Sequence, residues 1–425
     1  MRLLYSALYY CLLPLLVLRM LWRSRLAPAY RQRLPERFGL FRARPDLEVP
    51  AIWVHAVSVG ETLAAAPLVE ALLRDYPAYR IVLTTTTPTG SERVRALFGH
   101  RVFHVYAPWD LPGSLRRFLR RTRPRLLLLM ETELWPNMLH YSRAAGCRVV
   151  LANARLSARS ARGYARLPRL TRELLRGLDV AACQSTADSE RFLSLGLGPA
   201  AAVVTGNIKF DLALAPELRA RAAALQQVFA GAGRPVLVAA STHEGEEPII
   251  LAAYRELRQV LGGCLLVLVP RHPERFDAVY ALCRQQGWAV LRRSVGTDPS
   301  TADDILLGDT MGELPLLLGT ATVAVFGGSM VAHGGHNVLE AAAWGVPVIS
   351  GPHMENFGDI SEQLCAAGGM RQLQDPAGLA PCLLDLLRDP EQRRRMGAAG
   401  REVVARNRGA SARLLDLVAR QLAGE

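Results

Sequence analysis

Apolar runs of about five to seven residues alternate with longer amphipathic stretches along most of the chain. Apolar runs bounded by turn residues indicate buried strands, and strands that alternate with helical patterns are typical of βα units in parallel sheets. The predicted strands of the first half are residues 51–57, 80–85, 126–131, 148–153, 179–184 and 202–206. Those of the second half are residues 235–240, 264–270, 304–308, 322–326 and 346–350. The fold class is therefore α/β.

The two sets of strands are separated by an Ala- and Arg-rich helical pattern over residues 212–233. With 425 residues, the chain is long enough for two domains of ordinary size. Each set can form one doubly wound sheet, in which ligands bind beyond the carboxyl ends of the strands. We expect two Rossmann-like domains facing a cleft, residues 31–212 and 213–425, with a hinge near residues 211–216.

Residues 3–18 are nearly all apolar, interrupted only by Ser6 and Pro14. This run is short for a membrane span, which needs about 20 residues, and no small-residue cleavage site follows it. Eight arginines and one acid lie between residues 19 and 44, which favours a cytoplasmic location facing anionic lipid. We expect residues 1–30 to anchor the protein to a membrane; a buried first helix is the alternative.

Composition narrows the class of partner. The formal net charge is +13, and two further basic segments lie at residues 116–125 and 155–176. Each segment holds only one aromatic residue, Phe118 or Tyr164, so there is no aromatic interleaving, and no nucleic-acid-binding motif accompanies them. We therefore expect a phosphorylated or membrane-bound partner and no nucleic acid. The seven cysteines are scattered without C-x-x-C spacing, which supports neither a disulfide framework nor a zinc ribbon.

The most distinctive segment is residues 326–357, which reads as a strand, a glycine loop at 334–335, a helix opened by His336 and Asn337, and another strand. Glycines let main-chain N–H groups approach a ligand closely, and a helix N-terminus favours an anion. Glu340, one turn into that helix, can accept hydrogen bonds from sugar hydroxyls. The segment predicts a sugar-nucleotide pocket, although any doubly wound sheet has glycine-rich turns.

In the first half, two acids follow buried strands, where a carboxylate is costly unless it is paired or functional. Glu61 begins a helix and can act as a general base, or it can merely complement the helix dipole, worth about 0.3–1 kcal/mol. Glu131 ends its strand, and alternation along the strand would turn Glu133 to the opposite side. Pairing with one of the many arginines is the structural alternative for Glu131.

Lys209 is the only lysine among 51 basic residues, and it lies at the predicted end of the first domain. A fixed cation there can neutralise negative charge on a phosphate leaving group. A solvated surface lysine is the alternative.

In the second half, Arg271 follows a predicted strand and can grip a phosphate or a base carbonyl. The turns at residues 241–247 and 309–313 have the same strand–turn–helix form, so all three meet at one sheet edge. His333 and His336 are spaced H-x-x-H but lack acid or Cys partners at ligand spacing, so no metal is predicted. No P-loop, full G-x-G-x-x-G or G-x-S-x-G is present, which argues against an NTPase, a dehydrogenase and a serine hydrolase.

Nine segments, taken in order, resemble motifs of the bacterial 3-deoxy-D-manno-octulosonic acid (Kdo) transferases. They are HAVSVGE, TTTTPTGSERV, METELWPN, NARLSARSARGY, GNIKFD, STHEGEE, LVPRHPERF, GDTMGEL and GGHNVLEAAAWGVPVISGPH, and the resemblance extends from the amino-terminal segment to about residue 356. It implies a GT-B glycosyltransferase fold with an N-terminal hydrophobic membrane-anchor helix. It also implies inverting, metal-independent transfer of Kdo from CMP-Kdo to a lipid A precursor, lipid IVA, in lipopolysaccharide core biosynthesis. The implied location is the cytoplasmic side of the cell inner membrane, and no cofactor is implied.

The resemblance implies roles for individual positions. Glu61 looks like the general base, and Glu131 and Lys209 look like stabilisers of the transition state. The segments that look like the CMP-binding ones are Pro270 and Arg271; Met311, Gly312 and Glu313; and Asn337, Val338, Leu339 and Glu340. Residues 31–212 would then bind the acceptor and residues 213–425 the CMP-sugar.

Two alternatives belong to other classes of protein. A nucleotide-sugar 2-epimerase has the same type of fold, but it acts on a soluble substrate and would not need the apolar residues 3–18. A non-catalytic, membrane-bound sugar-nucleotide-binding protein would bind CMP without releasing any from the donor. The presence of Glu61, Glu131 and Lys209 argues against the second alternative.

Overall fold

The chain forms two compact units in the computed structural model, which describes residues 2–25, 28–42, 49–231 and 233–424. The first unit is Met1–Asp211 with Arg408–Glu425, and the second is Leu212–Asn407. Each unit contains one seven-stranded sheet whose neighbouring strands all run parallel. Of the predicted anchor and the arginines after it, residues 1, 26, 27 and 44 lie outside the described ranges.

The first unit alternates strands and helices after an initial helix. Its strands are β1 (Ala51–His55), β2 (Arg80–Thr85), β3 (Phe103–Tyr106), β4 (Pro124–Met130), β5 (Arg148–Ala154), β6 (Val180–Cys183) and β7 (Ala202–Val204). The helices that precede β7 in this unit are α1 (Arg2–Arg23), α2 (Val59–Asp75), α3 (Pro88–Phe98), α4 (Pro112–Thr122), α5 (Pro136–Ala144), α6 (Ala158–Ala165), α7 (Pro168–Leu175) and α8 (Thr186–Ser194).

The first sheet has the strand order β3-β2-β1-β4-β5-β6-β7. The chain passes from β1 through β2 to β3 on one side of β1, and then forms β4 to β7 on the other side. The carboxyl ends of β1 and β4 therefore flank the topological switch point, where doubly wound folds bind ligands. Alternate residues of β1 enter separate cores: Ile52 and Val54 pack on one face of the sheet, and Ala51 and Trp53 pack on the other. Helices on both faces bury this sheet, which is why its strands are almost wholly apolar.

The second unit repeats the same plan. Its strands are β8 (Val236–Thr242), β9 (Leu265–Pro270), β10 (Val290–Arg292), β11 (Ile305–Leu307), β12 (Val323–Phe326), β13 (Val348–Ser350) and β14 (Met370–Gln372). Its helices are α9 (Pro216–Ala230), α10 (Glu246–Leu261), α11 (Phe276–Gln285), α12 (Leu314–Leu318), α13 (Leu339–Trp344), α14 (Gly358–Ala366), α15 (Leu379–Arg388) and α16 (Pro390–Asn407). The order β10-β11-β9-β8-β12-β13-β14 places the switch point between β8 and β12.

The last helix, α17 (Ala410–Ala423), belongs to the first unit rather than the second, where the sequence analysis placed it. Its buried residues Ala410, Leu414 and Val418 join the core that contains Ile52 and Val54. The Asp211 carboxylate accepts hydrogen bonds from the main-chain N–H groups of Gly409 (2.6 Å) and Ser411 (2.5 Å) at the start of α17. A carboxylate in that position satisfies helix-terminal donors and complements the dipole.

Helix α1 is, within the described residues, the one helix long and apolar enough to cross a membrane by length and composition. One of its faces lies against the first unit: Asn137 Nδ2, on α5, donates to Ser6 Oγ (3.0 Å), and Arg2 Nη1 donates to Asn137 Oδ1 (3.1 Å). Its other face exposes apolar side chains, namely Leu3, Leu4, Leu8, Leu12, Leu15, Leu18 and Leu21. The helix therefore has a docked face and an apolar face open to its surroundings.

The eleven predicted strands are all present, with ends within two residues of the predicted ones. Three strands were not predicted: β3, β10 and β14, and each lies at the edge of its sheet. Edge strands are short and covered less completely, so they carry a weaker apolar pattern. All three residues of β10, for example, are only half-buried.

Candidate active site

The turn after β1 holds Glu61 in the first turn of α2. Ser58 is the N-cap residue, and its Oγ accepts a hydrogen bond from the Glu61 N–H (3.3 Å). The Glu61 carboxylate in turn accepts from the Val57 N–H (2.9 Å) and from Ser58 Oγ (3.1 Å). This reciprocal arrangement follows from a Ser and a Glu three residues apart, a capping-box spacing. Glu61 thus does complement the helix start, as one of its two interpretations predicted.

The environment of Glu61 also suits a base. Burial and, less strongly, the nearby carboxylates of Glu131 and Glu133 raise the pKa of Glu61, hydrogen bonds from Val57 and Ser58 oppose the rise, and the resulting pKa is about 7. A general base works best when its pKa lies near the working pH. The capping role and the base role are therefore compatible in this one carboxylate.

Glu131 and Lys209 form an ion pair, with Lys209 Nζ 2.8 Å from Glu131 Oε1. Their side chains are 21% and 19% exposed, respectively. Strand β4 ends at Met130, and Glu131 has a φ of 58°, so the expected strand alternation between Glu131 and Glu133 does not apply. The structural alternative had assumed an arginine as the partner of Glu131. The partner is instead Lys209, the single lysine.

Lys209 is held by a short 3-10 turn, Ile208–Phe210, that two asparagines fix. Asn153 Oδ1 accepts from the Ile208 N–H (3.1 Å), and Asn207 Oδ1 accepts from the Lys209 N–H (3.0 Å). Asn153 is fully buried and has a φ of 53°. Left-handed residues outside glycine cost about 1–3 kcal/mol and cluster at functional sites. The sequence analysis assigned Asn153 no role. The signal that could have identified it as a site residue was a polar Asn directly after the buried apolar residues 149–152.

Glu133 completes the acidic side of this site. Its Oε2 accepts a hydrogen bond from Trp135 Nε1 (2.7 Å), which turns the carboxylate back on its own loop. Burial, and secondarily the charge of Glu131, raise the pKa of Glu133. One edge of the first sheet therefore carries three carboxyl groups and one lysine.

In the second unit, Arg271 follows β9, and its main-chain N–H donates to the Thr242 carbonyl (3.0 Å). Its half-buried guanidinium makes no hydrogen bond or ion pair with any other described residue. Burial raises the pKa of Glu340, and the positive charge of Arg271 opposes part of this rise. A guanidinium with free donors at a sheet edge fits an anionic group such as a phosphate. Pro270, directly before it, ends β9 as a buried residue.

The glycine loop and helix after β12 differ from the prediction. Helix α13 begins at Leu339, not at His336 or Asn337, and it has six residues, so its dipole is weak. The reason is Asn337, whose Oδ1 accepts from the Leu339 N–H (3.3 Å) and so forms a local turn before the helix. Val338 and Leu339 have fully buried side chains, so they can offer a ligand only main-chain groups. Asn337 Nδ2 also donates to Glu340 Oε1 (3.5 Å).

The turn of Met311, Gly312 and Glu313 follows β11, the strand that pairs with β9. Met311 is 65% exposed, and Gly312 has a φ of 84°, which favours glycine. Glu313 accepts from Arg293 Nε and Nη2, both at 3.2 Å, and this pairing holds the pKa of Glu313 low. Its carboxylate is therefore already occupied, which favours the main chain of this turn as the part that meets a ligand.

Four histidines converge at one edge of the second sheet: His243, His272, His333 and His336. The sequence analysis considered His333 and His336 as metal ligands and His336 also as the start of a helix, and it gave His243 and His272 no individual role. Within the described ranges, no group of three or more His, Cys, Asp or Glu residues is arranged to hold a metal ion. His243 and His272 lie shortly after the predicted strands 235–240 and 264–270, and this position was the available signal for them. The H-x-x-H spacing of His333 and His336 did not convey that they meet these two residues.

The two parallel seven-stranded units define a GT-B fold. A UDP-GlcNAc 2-epimerase from Neisseria meningitidis bound to UDP-GlcNAc matches 87% of this chain and 100% of its own, with a TM-score of 0.59 and 15% identity. The S. aureus MnaA–UDP complex matches 88% of this chain and 97% of its own, with a TM-score of 0.57 and 14% identity. At such low identity these likenesses show the fold alone.

Sequence comparison gives the family. Residues 32–212 match the family described as 3-Deoxy-D-manno-octulosonic-acid transferase (kdotransferase). The 3-deoxy-D-manno-octulosonic acid transferase of Haemophilus influenzae is 43% identical over 98% of both chains. That of Bordetella pertussis is 43% identical over 95% of this chain and 96% of its own. The chain belongs to the Kdo transferase family, as its motifs predicted.

Proposed function

We propose that this protein transfers Kdo from CMP-Kdo to a phosphorylated lipid A precursor, lipid IVA, with inversion and without a metal ion or cofactor. Membership of the family supports Kdo as the transferred sugar. The observation that carries the proposal is Glu61, a carboxyl with a pKa of about 7 beside the Glu131–Lys209 pair at the switch point of the first sheet.

In the proposed reaction, Glu61 takes the proton of an acceptor hydroxyl as the hydroxyl oxygen attacks the anomeric carbon of Kdo. The bond from that carbon to the phosphate oxygen breaks, and CMP leaves with the electron pair. Attack opposite the leaving group inverts the anomeric configuration. Lys209, held in place by Glu131, supplies a fixed positive charge for the transition state.

The second unit would bind the nucleotide. Arg271 offers a guanidinium for the phosphate, and the turns at residues 311–313 and 337–340 offer main-chain groups and the Asn337 and Glu340 side chains. In this proposal these cationic and hydrogen-bonding groups supply the phosphate contacts without a divalent cation.

The acceptor is a lipid, and α1 supports a membrane location. Its apolar face is open, while Ser6 and Arg2 fix the opposite face to α5. A helix in this arrangement can lie in the membrane interface with its leucines among the acyl chains. We propose that α1 and the arginines after it hold the protein on the cytoplasmic face of the inner membrane, against anionic lipid.

The test is direct transfer. Purified protein is incubated with CMP-Kdo made in situ, lipid IVA and EDTA, and mass spectrometry reports the lipid product. A mass gain of one or more Kdo units supports CMP-Kdo as the donor, lipid IVA as the acceptor and a reaction without a metal ion. The size of the gain gives the number of Kdo units added. No gain, from protein shown to bind CMP, would reject lipid IVA as the acceptor or reject catalysis.

A further inference from the structure

His243 and His336 form a hydrogen-bonded pair at the switch point of the second sheet. Their Nε2 atoms are 2.8 Å apart and their ring planes differ by 7°. Only one proton fits between two ring nitrogens at this distance, so one imidazole donates and the other accepts. His243 follows β8 and His336 follows β12, strands that are neighbours in the sheet. The pair therefore bridges the two strand ends at which ligands bind in doubly wound folds.

The fold fixes the pair through a buried carboxylate. Glu246 is fully buried and accepts four main-chain N–H groups, those of His243, Gly328, Ser329 and Met330, at 2.7–3.0 Å. These bonds tie the end of β8 to the loop after β12. Gly328 passes so close to the ring of His336 that a Cβ atom at this position would lie 3.1 Å from it. One buried carboxylate thus fixes the main chain of His243 and of the loop that precedes His336.

Two further histidines and two arginines face the pair. His333 stacks on His243 at 4.3 Å between ring centroids, and His272 meets it edge-on at 5.4 Å. Arg271 and Arg275 lie near enough to disfavour a charge on His243. Of the nearby acids, Glu246 is engaged with the main chain, Glu247 with Arg275 at 2.6 and 2.9 Å, and Glu340 with Asn337. Glu244, next to His243, is exposed to solvent, and Glu274 lies 3.9 Å from His272 Nδ1.

Burial, together with these positive neighbours, lowers the pKa of His243 to about 4 and that of His336 to about 3. The pair is therefore uncharged at neutral pH when no anion lies against it. A phosphate dianion next to the rings would reverse this balance, because an opposite charge within about 4–6 Å favours the protonated imidazole. The site would gain a positive charge only when a phosphate is present.

We propose that the His243–His336 pair is the phosphate-sensing element of the second unit, and that it takes up one proton when a nucleotide phosphate binds beside it and Arg271. This inference rests on the proposed nucleotide-binding role of the second unit. It adds to that role a specific pair of residues and a change in protonation on binding.

Calorimetric titration with CMP at pH 7.5, in buffers of different ionisation enthalpy, measures the proton uptake. We expect close to one proton per CMP bound by the wild-type protein, and none with cytidine, which lacks the phosphate. H243Q and H336Q should each abolish the uptake and weaken CMP binding by about tenfold. H100Q, which changes an exposed histidine of the first unit, is the matched control and should behave as the wild type. In ¹⁵N spectra of the histidine rings, CMP should move the signals of His243 and His336 towards the protonated form.

The outcomes separate this inference from the function on which it rests. CMP binding and Kdo transfer with no proton uptake would overturn the inference alone. Uptake that persists in both H243Q and H336Q would also overturn it, because the proton would then reside elsewhere. A wild-type protein that binds no CMP would overturn the nucleotide-binding role and this inference together.

Discussion

Lys209 Nζ lies 2.8 Å from Glu131 Oε1, although 78 residues separate the two in the chain. The bond ties the end of β4 to the 3-10 turn Ile208–Phe210, near the end of the first long segment of the first unit. Because each side chain is about one-fifth exposed, the pair is shielded from water but not fully desolvated. Lys209 therefore links two segments of the first unit, and it is also a candidate for stabilising negative charge in the transition state.

Lys209→Ala separates these two contributions. Removing the cation leaves the Glu131 carboxylate half-buried without its partner, so the free energy of unfolding should fall by roughly 1–2 kcal/mol. Transfer should fall by about 100-fold or more, because fixed charges at a transition state are worth roughly that much. CMP affinity should stay within about twofold, since the predicted CMP-binding residues all belong to the second unit.

The measurements for Lys209→Ala are urea unfolding, initial rates of transfer and calorimetry with CMP. Arg420→Ala is the control, because Arg420 is an exposed cation of α17 in the first unit and lies outside the basic segments. A Lys209→Ala protein that loses CMP affinity while keeping its turnover would make Lys209 a nucleotide-binding residue instead.

Glu61→Gln should abolish transfer while CMP binding survives. The glutamine side-chain oxygen can still accept from the Val57 N–H, so the turn should keep its shape. A missing general base typically costs about 100- to 10,000-fold. Glu70→Gln changes an exposed residue of the same helix and serves as the control. Wild-type turnover by Glu61→Gln would remove Glu61 from the mechanism.

The pH dependence of transfer tests the same residue in the unmodified enzyme. A base acts in its deprotonated form, so kcat/KM should rise with pH and level off above the Glu61 pKa of about 7. Glu133→Gln removes one of the negative charges that raise this pKa, so the midpoint of the rise should move to lower pH. A midpoint that stays fixed in Glu133→Gln would show that another group controls the profile.

Acid should weaken the first unit through two histidines of its sheet, His55 at the end of β1 and His104 in β3. Burial lowers the pKa of His55 and of His104 to about 4. The unfolded chain binds these protons near pH 6.5, so the stability that the neutral rings provide is fully present above pH 6.5. It is lost as the pH falls towards 4, by roughly 3 kcal/mol for each ring over that interval.

Urea midpoints between pH 7.5 and pH 4.5 measure the acid effect. His104→Gln should flatten the decline, because glutamine does not titrate, while His100→Gln at an exposed position should leave it unchanged. An equally steep decline in His104→Gln would assign the acid sensitivity to other groups.

Membrane association should depend on the exposed face of α1. Leu8→Glu and Leu15→Glu place charges on that face, and each should weaken binding to phosphatidylglycerol-containing vesicles by at least about tenfold. Leu193→Glu, at an exposed leucine of α8, controls for the change of net charge. Vesicle flotation reports the result, and undiminished flotation of both α1 variants would assign membrane binding to another surface.

The sequence predicted most of the fold because buried parallel strands are nearly continuous apolar runs, such as Leu126–Leu129 within β4. It identified Glu61, Glu131 and Lys209 as candidate site residues, and the structure places the three close together in the first unit. It could not predict the His243–His336 bond, which joins residues 93 apart and depends on strand order. The start of α13 was misjudged because the side chain of Asn337 competes for the first helical N–H groups.

Helix α17 belongs to the first unit, yet the ribosome makes it only after it has made the whole second unit. Until then, the core around Ile52 and Val54 lacks the side chains of Leu414 and Val418, and Asp211 lacks the helix start that it caps. The second unit is one uninterrupted stretch of chain and can fold as soon as it is synthesised. Synthesis therefore imposes an order in which the unit begun first is the one completed last.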